Sequence, residues 1–98
     1  MNTTWTFPYL EVASVNGQPG VIRRIHWSLE ASRDGITVRT YGICDLDLPG
    51  ETFTALADVT DEMLLAWIGP KHDLPGIYAG LHHEVERFKT NGLTLVAR

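Results

Sequence analysis

The run HHEVER, residues 82–87, gathers two histidines, two glutamates and an arginine, the residue types from which metal sites and acid–base pairs are built. His82 and Glu86 stand four apart, so on a helix they share a face and a metal ion could bridge them. His83 and Glu84 match the first letters of the zinc-protease helix motif, but that motif needs a second histidine four residues after the first, where this chain has Arg87. A full ligand set would have to draw on His72 and His26 from elsewhere in the chain. The plainer reading makes His82, His83, Glu84, Glu86 and Arg87 the solvated face of an amphipathic helix. No metal ligand, cofactor site or catalytic residue is assigned to them.

Other reactive types are equally isolated. Cys44 is the only cysteine, which excludes an internal disulfide and a multi-thiolate zinc site within one chain. It closes an apolar run, the setting of a small buried thiol. Ser14, Ser28 and Ser32 fall in strand or turn contexts, away from any nucleophile elbow. The glycines of VNGQPG lack the Lys-Ser/Thr and the helix start of a phosphate loop. Asp45, Asp47 and Glu51 do not have calcium-loop spacing and read as a solvated acidic connection. Arg23, Arg24, Arg33 and Arg39 with Tyr41 could form a small basic-aromatic surface for single-stranded nucleic acid. A net charge of −4 argues against such a partner. The reading is therefore non-enzymatic, with no small-molecule substrate, no nucleic acid and no membrane.

The elements that must position these side chains form one domain, residues 1–98. The start MNTTWTFPYLEV lacks the basic and apolar regions of a signal peptide, and no run approaches the roughly 18 apolar residues of a membrane helix. The expected setting is a cytoplasm-like compartment, or something assembled there. In TWTFPYLEV, Trp5, Phe7 and Tyr9 alternate with Thr4, Thr6 and Pro8, and the apolar parity then shifts to Leu10 and Val12. That predicts an edge strand with a bulge near Pro8. VNGQPG reads as a loop. Next, Val21, Ile25, Trp27, Leu29 and Ala31 share a face broken only by Arg23, while Ile22, Arg24, His26, Ser28 and Glu30 share a wet one. By this parity His26 and Trp27 point to opposite sides. Asp34-Gly35 supplies a hairpin turn into ITVRTYGIC.

An acidic connection follows, with Phe53 and Leu56 expected to pin it to the core. Thr60 then caps a helix carrying Met63, Leu64, Trp67 and Ile68 on one stripe, stopped by Gly69-Pro70 through the left-handed tolerance of glycine. A second helix runs from near Asp73 and Pro75 to Asn91-Gly92 and buries Ile77, Leu81, Val85 and Phe88. Gly76 and Gly80 share a face that would admit a close neighbour, and LTLVAR is a fourth strand or an arm. The predicted fold is α+β: a three- to four-stranded antiparallel sheet, an N-terminal meander, with two C-terminal helices packed on one face. Its core is Trp5, Phe7, Trp27, Leu29, Leu64, Trp67, Leu81, Val85 and Phe88.

The whole series resembles small proteins of tailed bacteriophages. TWTFPYLEV, the His-Trp of VIRRIHWSLEAS, a following Tyr-Gly, and FTALADVTDEMLLAWI before a last helix occur in the same order there. The resemblance spans nearly the full chain, and its motifs are structural. This chain departs from it in GPKHDLPGIYAGLHHEVERF, whose histidines and glycines are its own. Such proteins are encoded among head and tail genes. The resemblance implies a non-enzymatic structural or accessory component of the virion, in tail, neck or capsid-associated position, with a slight lean to tail or neck. It would bind other virion proteins as repeated copies or a homo-oligomer, in particles assembled in the host bacterial cytoplasm. The alternative is a small non-virion phage protein that binds and modulates a host factor.

Overall fold

The computed structural model describes residues 1–47 and 53–96. Strands β1 (Asn2–Val15), β2 (Gln18–Arg33) and β3 (Ile36–Asp45) form one antiparallel sheet in the order β1-β2-β3. A 3-10 turn (Leu56–Asp58), helix α1 (Asp61–Ile68), a second 3-10 turn (Gly69–Lys71) and helix α2 (Leu74–Asn91) follow. The helices pack on one side of the sheet, so the α+β meander with two C-terminal helices is what the chain forms, with three strands among the described residues.

Alternation and turn chemistry set the sheet. β2 is its centre, with Ile25, Leu29 and Ala31 fully buried on the helix side and Trp27 nearly so. Asp34 and Gly35 take positive φ values of 55° and 76° in the β2–β3 turn. Between Thr6 and Tyr9 the register slips, placing the expected bulge at Phe7-Pro8 of an edge strand.

The structure corrects several expectations. VNGQPG is not a loop: Asn16 and Gly17, at φ 51° and 80°, make a two-residue turn, and both strands run up to it. Asn-Gly is the strongest short hairpin signal, and the neighbouring Pro19 and Gly20 obscured it. Ile22 lies in the core, not on the wet face. Glu11 pairs with Arg24 but Val12 with Ile22, so Arg23 is an extra, bulged residue that breaks the alternation there, and Val21 and Ile22 are both buried. Asp45 belongs to β3 and not to the acidic connection. Phe53 and Leu56 are exposed and do not pin that connection; Glu51 lies outside the described residues. Residues 93–96 add no strand, and Leu95 and Val96 are exposed.

At the helices, the Thr60 hydroxyl accepts from Met63 N and the Asp73 carboxylate accepts from Gly76 N, so both start where the caps predict. Gly92, left-handed at φ 61°, ends α2. Gly69 differs: at φ −50° it is right-handed, and α1 tightens into a 3-10 turn through Pro70 rather than stopping on a left-handed glycine. Gly80 has open space where a side chain would stand, and the atoms nearest Gly76 belong to the capping Asp73 of its own helix rather than to a packed neighbour.

Ile25, Leu29, Ile68 and Val85 are the large side chains most completely enclosed, and Trp27, Leu64, Leu81 and Phe88 join them. Trp5, Phe7 and Trp67, predicted core, are only partly buried against this cluster. For Trp5 and Phe7 the cause is position, since β1 is an edge strand at the flank of the helix layer. Trp5 compensates by donating from Nε1 to the Tyr78 hydroxyl of α2 at 2.9 Å. With a shortest dimension of 18 Å, the molecule has room for one sheet and one helix layer. Among the described residues, no such layer covers the other sheet face.

Candidate interaction face

The bare face is built by ladder pairing, which lines up every second residue of the three strands. Thr4, Glu30 and Arg39 make one row; Thr6, Ser28 and Tyr41 the next; then Tyr9, His26 and Ile43; then Glu11, Arg24 and Asp45. The middle is aromatic and apolar. Tyr9 is 71% exposed, Tyr41 69% and Ile43 46%. Ser28, although polar and on this face, is only 7% exposed because its neighbours wall it in. A shallow depression of about 380 Å³ lies between Pro8 and Tyr41, floored by Thr4, Thr6 and Ser28 and edged by Glu30 and Arg39.

The charges stand at the two ends of this face and are matched within the chain. Arg39 is held by Glu30 across the strand pair. Arg24 binds Asp45 through two nitrogens, at 2.5 and 3.2 Å, and lies 3.9 Å from Glu11. His26 Nε2 and Glu11 Oε2 are 2.6 Å apart, and Tyr9 meets the imidazole edge-on. Hydrogen bonding from Arg24, then its charge, holds the Asp45 carboxyl below its ordinary range, and the same pair raises Arg24. Arg39 is raised likewise, first by its bond to Glu30. The arginines that could have formed a basic-aromatic surface are dispersed. Arg24 and Arg39 sit at opposite ends of the face, each on a carboxylate; Arg33 turns to α2; and Arg23, in its bulge, buries Nη1 with no hydrogen-bond partner among the described residues.

A folded carboxyl with a lowered pKa stabilises above the ordinary carboxylate range, and that contribution disappears as pH falls through the lowered value. Melting midpoints of wild type and Asp45→Asn are therefore expected to differ near neutral pH and to converge as pH falls below the ordinary carboxylate range and Asp45 is protonated. Curves running parallel across the acid range would show that the Arg24–Asp45 pair contributes nothing to acid stability.

The histidines do not converge. His26 is on the bare face; His72 packs edge-on to Trp27 at 5.6 Å on the opposite side; His82 is on α2. Arg33 donates to His82 Nδ1 at 3.3 Å and also ion-pairs with Glu86, so a guanidinium occupies the place a bridging metal would need. Glu84 binds Arg87, and His82 and His83 are exposed, as a solvated helix face requires. Among the described residues no three His, Cys, Asp or Glu side chains are grouped for a metal. His26 and Ser28 share the bare face, but His26 spends Nε2 on Glu11, and no His26–Ser28 hydrogen bond is formed. Cys44 is buried, and burial raises its thiol pKa. Lys71 reaches Asp47 at 3.3 Å.

Sequence reasoning left one feature of this region undetected. Trp27 and Gly42 are direct partners across β2 and β3, and the indole lies over the glycine. The motifs His-Trp and Tyr-Gly are one structural unit: Trp27 on Gly42 on the core side, with His26, Ser28, Tyr41 and Ile43 outward around it. Each motif was visible in the sequence; their pairing depends on register across a turn.

Residues 1–91 match the family described as a domain of unknown function (DUF7936). No curated protein and no solved structure matches the chain.

Proposed function

The chain belongs to the DUF7936 family, whose description assigns no activity, and from its own surface we propose a non-enzymatic structural component of a tailed-bacteriophage particle. It docks in repeated copies on other virion proteins through the bare face of its sheet. The observation that carries the docking is the make-up of that face. Exposed Tyr9, Tyr41 and Ile43 form its centre, and already-paired Glu30, Arg39, Glu11, Arg24 and Asp45 form its ends. An aromatic middle with a polar rim is the anatomy of a protein interface. Rim cations already bound to carboxylates favour a protein over a phosphate backbone. The phage setting comes from the order of motifs shared with tailed-phage proteins. Assembly would take place in the host bacterial cytoplasm, with tail or neck favoured over head.

Gradient-purified particles of the encoding phage test this reading. Quantitative mass spectrometry should recover the chain in fixed ratio to a known tail or head protein. Abundance in the lysate with absence from the particles would overturn the virion assignment and favour a modulator of a host factor.

A further inference from the structure

β3 is hydrogen-bonded to β2 on one side, and among the described residues no strand lies on its other side. We propose that two copies of this chain join antiparallel along β3, about a twofold axis at Gly42, into one continuous six-stranded sheet. The repeated-copy setting rests on the function proposed above; the pairing itself rests on the residues of β3.

A strand edge that pairs with its own copy must do so about a twofold, and both faces stay aligned only in alternate registers. With Gly42 on the axis, Tyr41 stands opposite Ile43 of the partner subunit and Arg39 opposite Asp45 of the partner subunit. The rows of the bare face then continue across the seam. Glu30 and Arg39 are followed by Asp45, Arg24 and Glu11 of the partner subunit, so charge alternates in sign across five neighbouring strands. The twofold repeats this network. Networks of exposed charges contribute more than isolated pairs, and opposite charges directly across a ladder are favourable. The next aligned register on one side sets Arg39 against Ile43 and Tyr41 against itself; on the other it sets Asp45 against Tyr41. Only the Gly42-centred register is complementary. It also brings two exposed apolar side chains, Tyr41 and Ile43, side by side at the seam. Both helix layers lie on the same side of the joined sheet, and the bare faces merge into one surface of twice the width.

Sedimentation equilibrium of the purified chain at about 100 μM, where a micromolar dimer is nearly complete, should give twice the 10.9 kDa mass. Arg39→Asp and Asp45→Arg should each weaken the dimer at least about a hundredfold by setting like charges across the seam. Mixed in equal amounts they should restore it, because each supplies the charge the other needs. Circular dichroism establishes that both are folded. Amide hydrogen exchange of the unaltered chain needs no variant: β3 amides should lose protection on dilution. A monomer at this concentration, a mixture that stays monomeric, or dilution-independent β3 protection would each overturn the pairing. Recovery of a monomeric chain in particles would sink this inference alone, whereas a dimer absent from particles would sink only the virion reading.

Discussion

Gly42→Ala is expected to destabilise the protein by about 2–3 kcal/mol, a large effect for one methyl group on a half-exposed strand. A Cβ at that position would lie 2.5 Å from Trp27 Cε2 and overlap the ring further at Cζ2. The indole cannot swing aside: it is 5% exposed, with Trp5 centred 5.4 Å away and His72 5.6 Å away. Overpacking of this kind forces off-rotamer side chains or a shift of the strand. The contrast is Gly80→Ala, where nothing lies within 4 Å and helix propensity alone acts; there the sign reverses, to a gain of roughly 1 kcal/mol. Urea unfolding of both variants measures the difference. The cause at Gly42 is separable by a cycle with Trp27→Leu, in which the smaller residue should absorb much of the Gly42→Ala penalty. An additive cycle would place the cost in the strand backbone, independent of the ring.

That pair also shows where sequence stops being sufficient. Local rules located the elements: Thr60 and Asp73 cap their helices, Asp34-Gly35 turns its hairpin, and Leu81, Val85 and Phe88 line the buried side of α2. Each depends on residues within about one helical turn or one hairpin. Simple alternation puts Ile22 on the wet face, but the bulged Arg23 breaks that alternation, and a bulge is a property of two strands together. Trp5 and Phe7 carry the right alternation for a core but lie on an edge strand, and alternation does not encode how far the helix layer reaches.

The bare face had the same mixed legibility. Its composition was readable, since Arg24, His26, Ser28 and Glu30 were assigned together to a polar side of β2. Its organisation was not. The Glu11–His26 and Arg24–Asp45 contacts join residues 15 and 21 positions apart, and they follow from strand register. HHEVER, the most conspicuous run by chemistry, resolves into a helix surface tied to the sheet by Arg33. Arginine from a distant turn, with its five donors, claims both the imidazole and the carboxylate that suggested a metal.

Tyr9→Ala is expected to reduce incorporation of the chain into particles at least about tenfold while leaving its melting midpoint nearly unchanged. The asymmetry follows from where the side chain lies. Tyr9 is 71% exposed, on the edge strand at the bulge, and its ring meets His26 edge-on without entering the core. Removing it deletes little folded-state contact, so stability should move by no more than about 0.5 kcal/mol. In a docked complex the same ring would be buried, and truncated interface tyrosines are among the costliest losses in affinity. Tyr9 is also on the far side of the sheet from β3, so its loss leaves the β3 edge intact and separates docking by the face from pairing of copies. Competition between wild-type and Tyr9→Ala chains during assembly, read as their ratio in purified particles, measures the effect directly. Equal incorporation would mean that the bare face, however suited in make-up, is not the surface that docks.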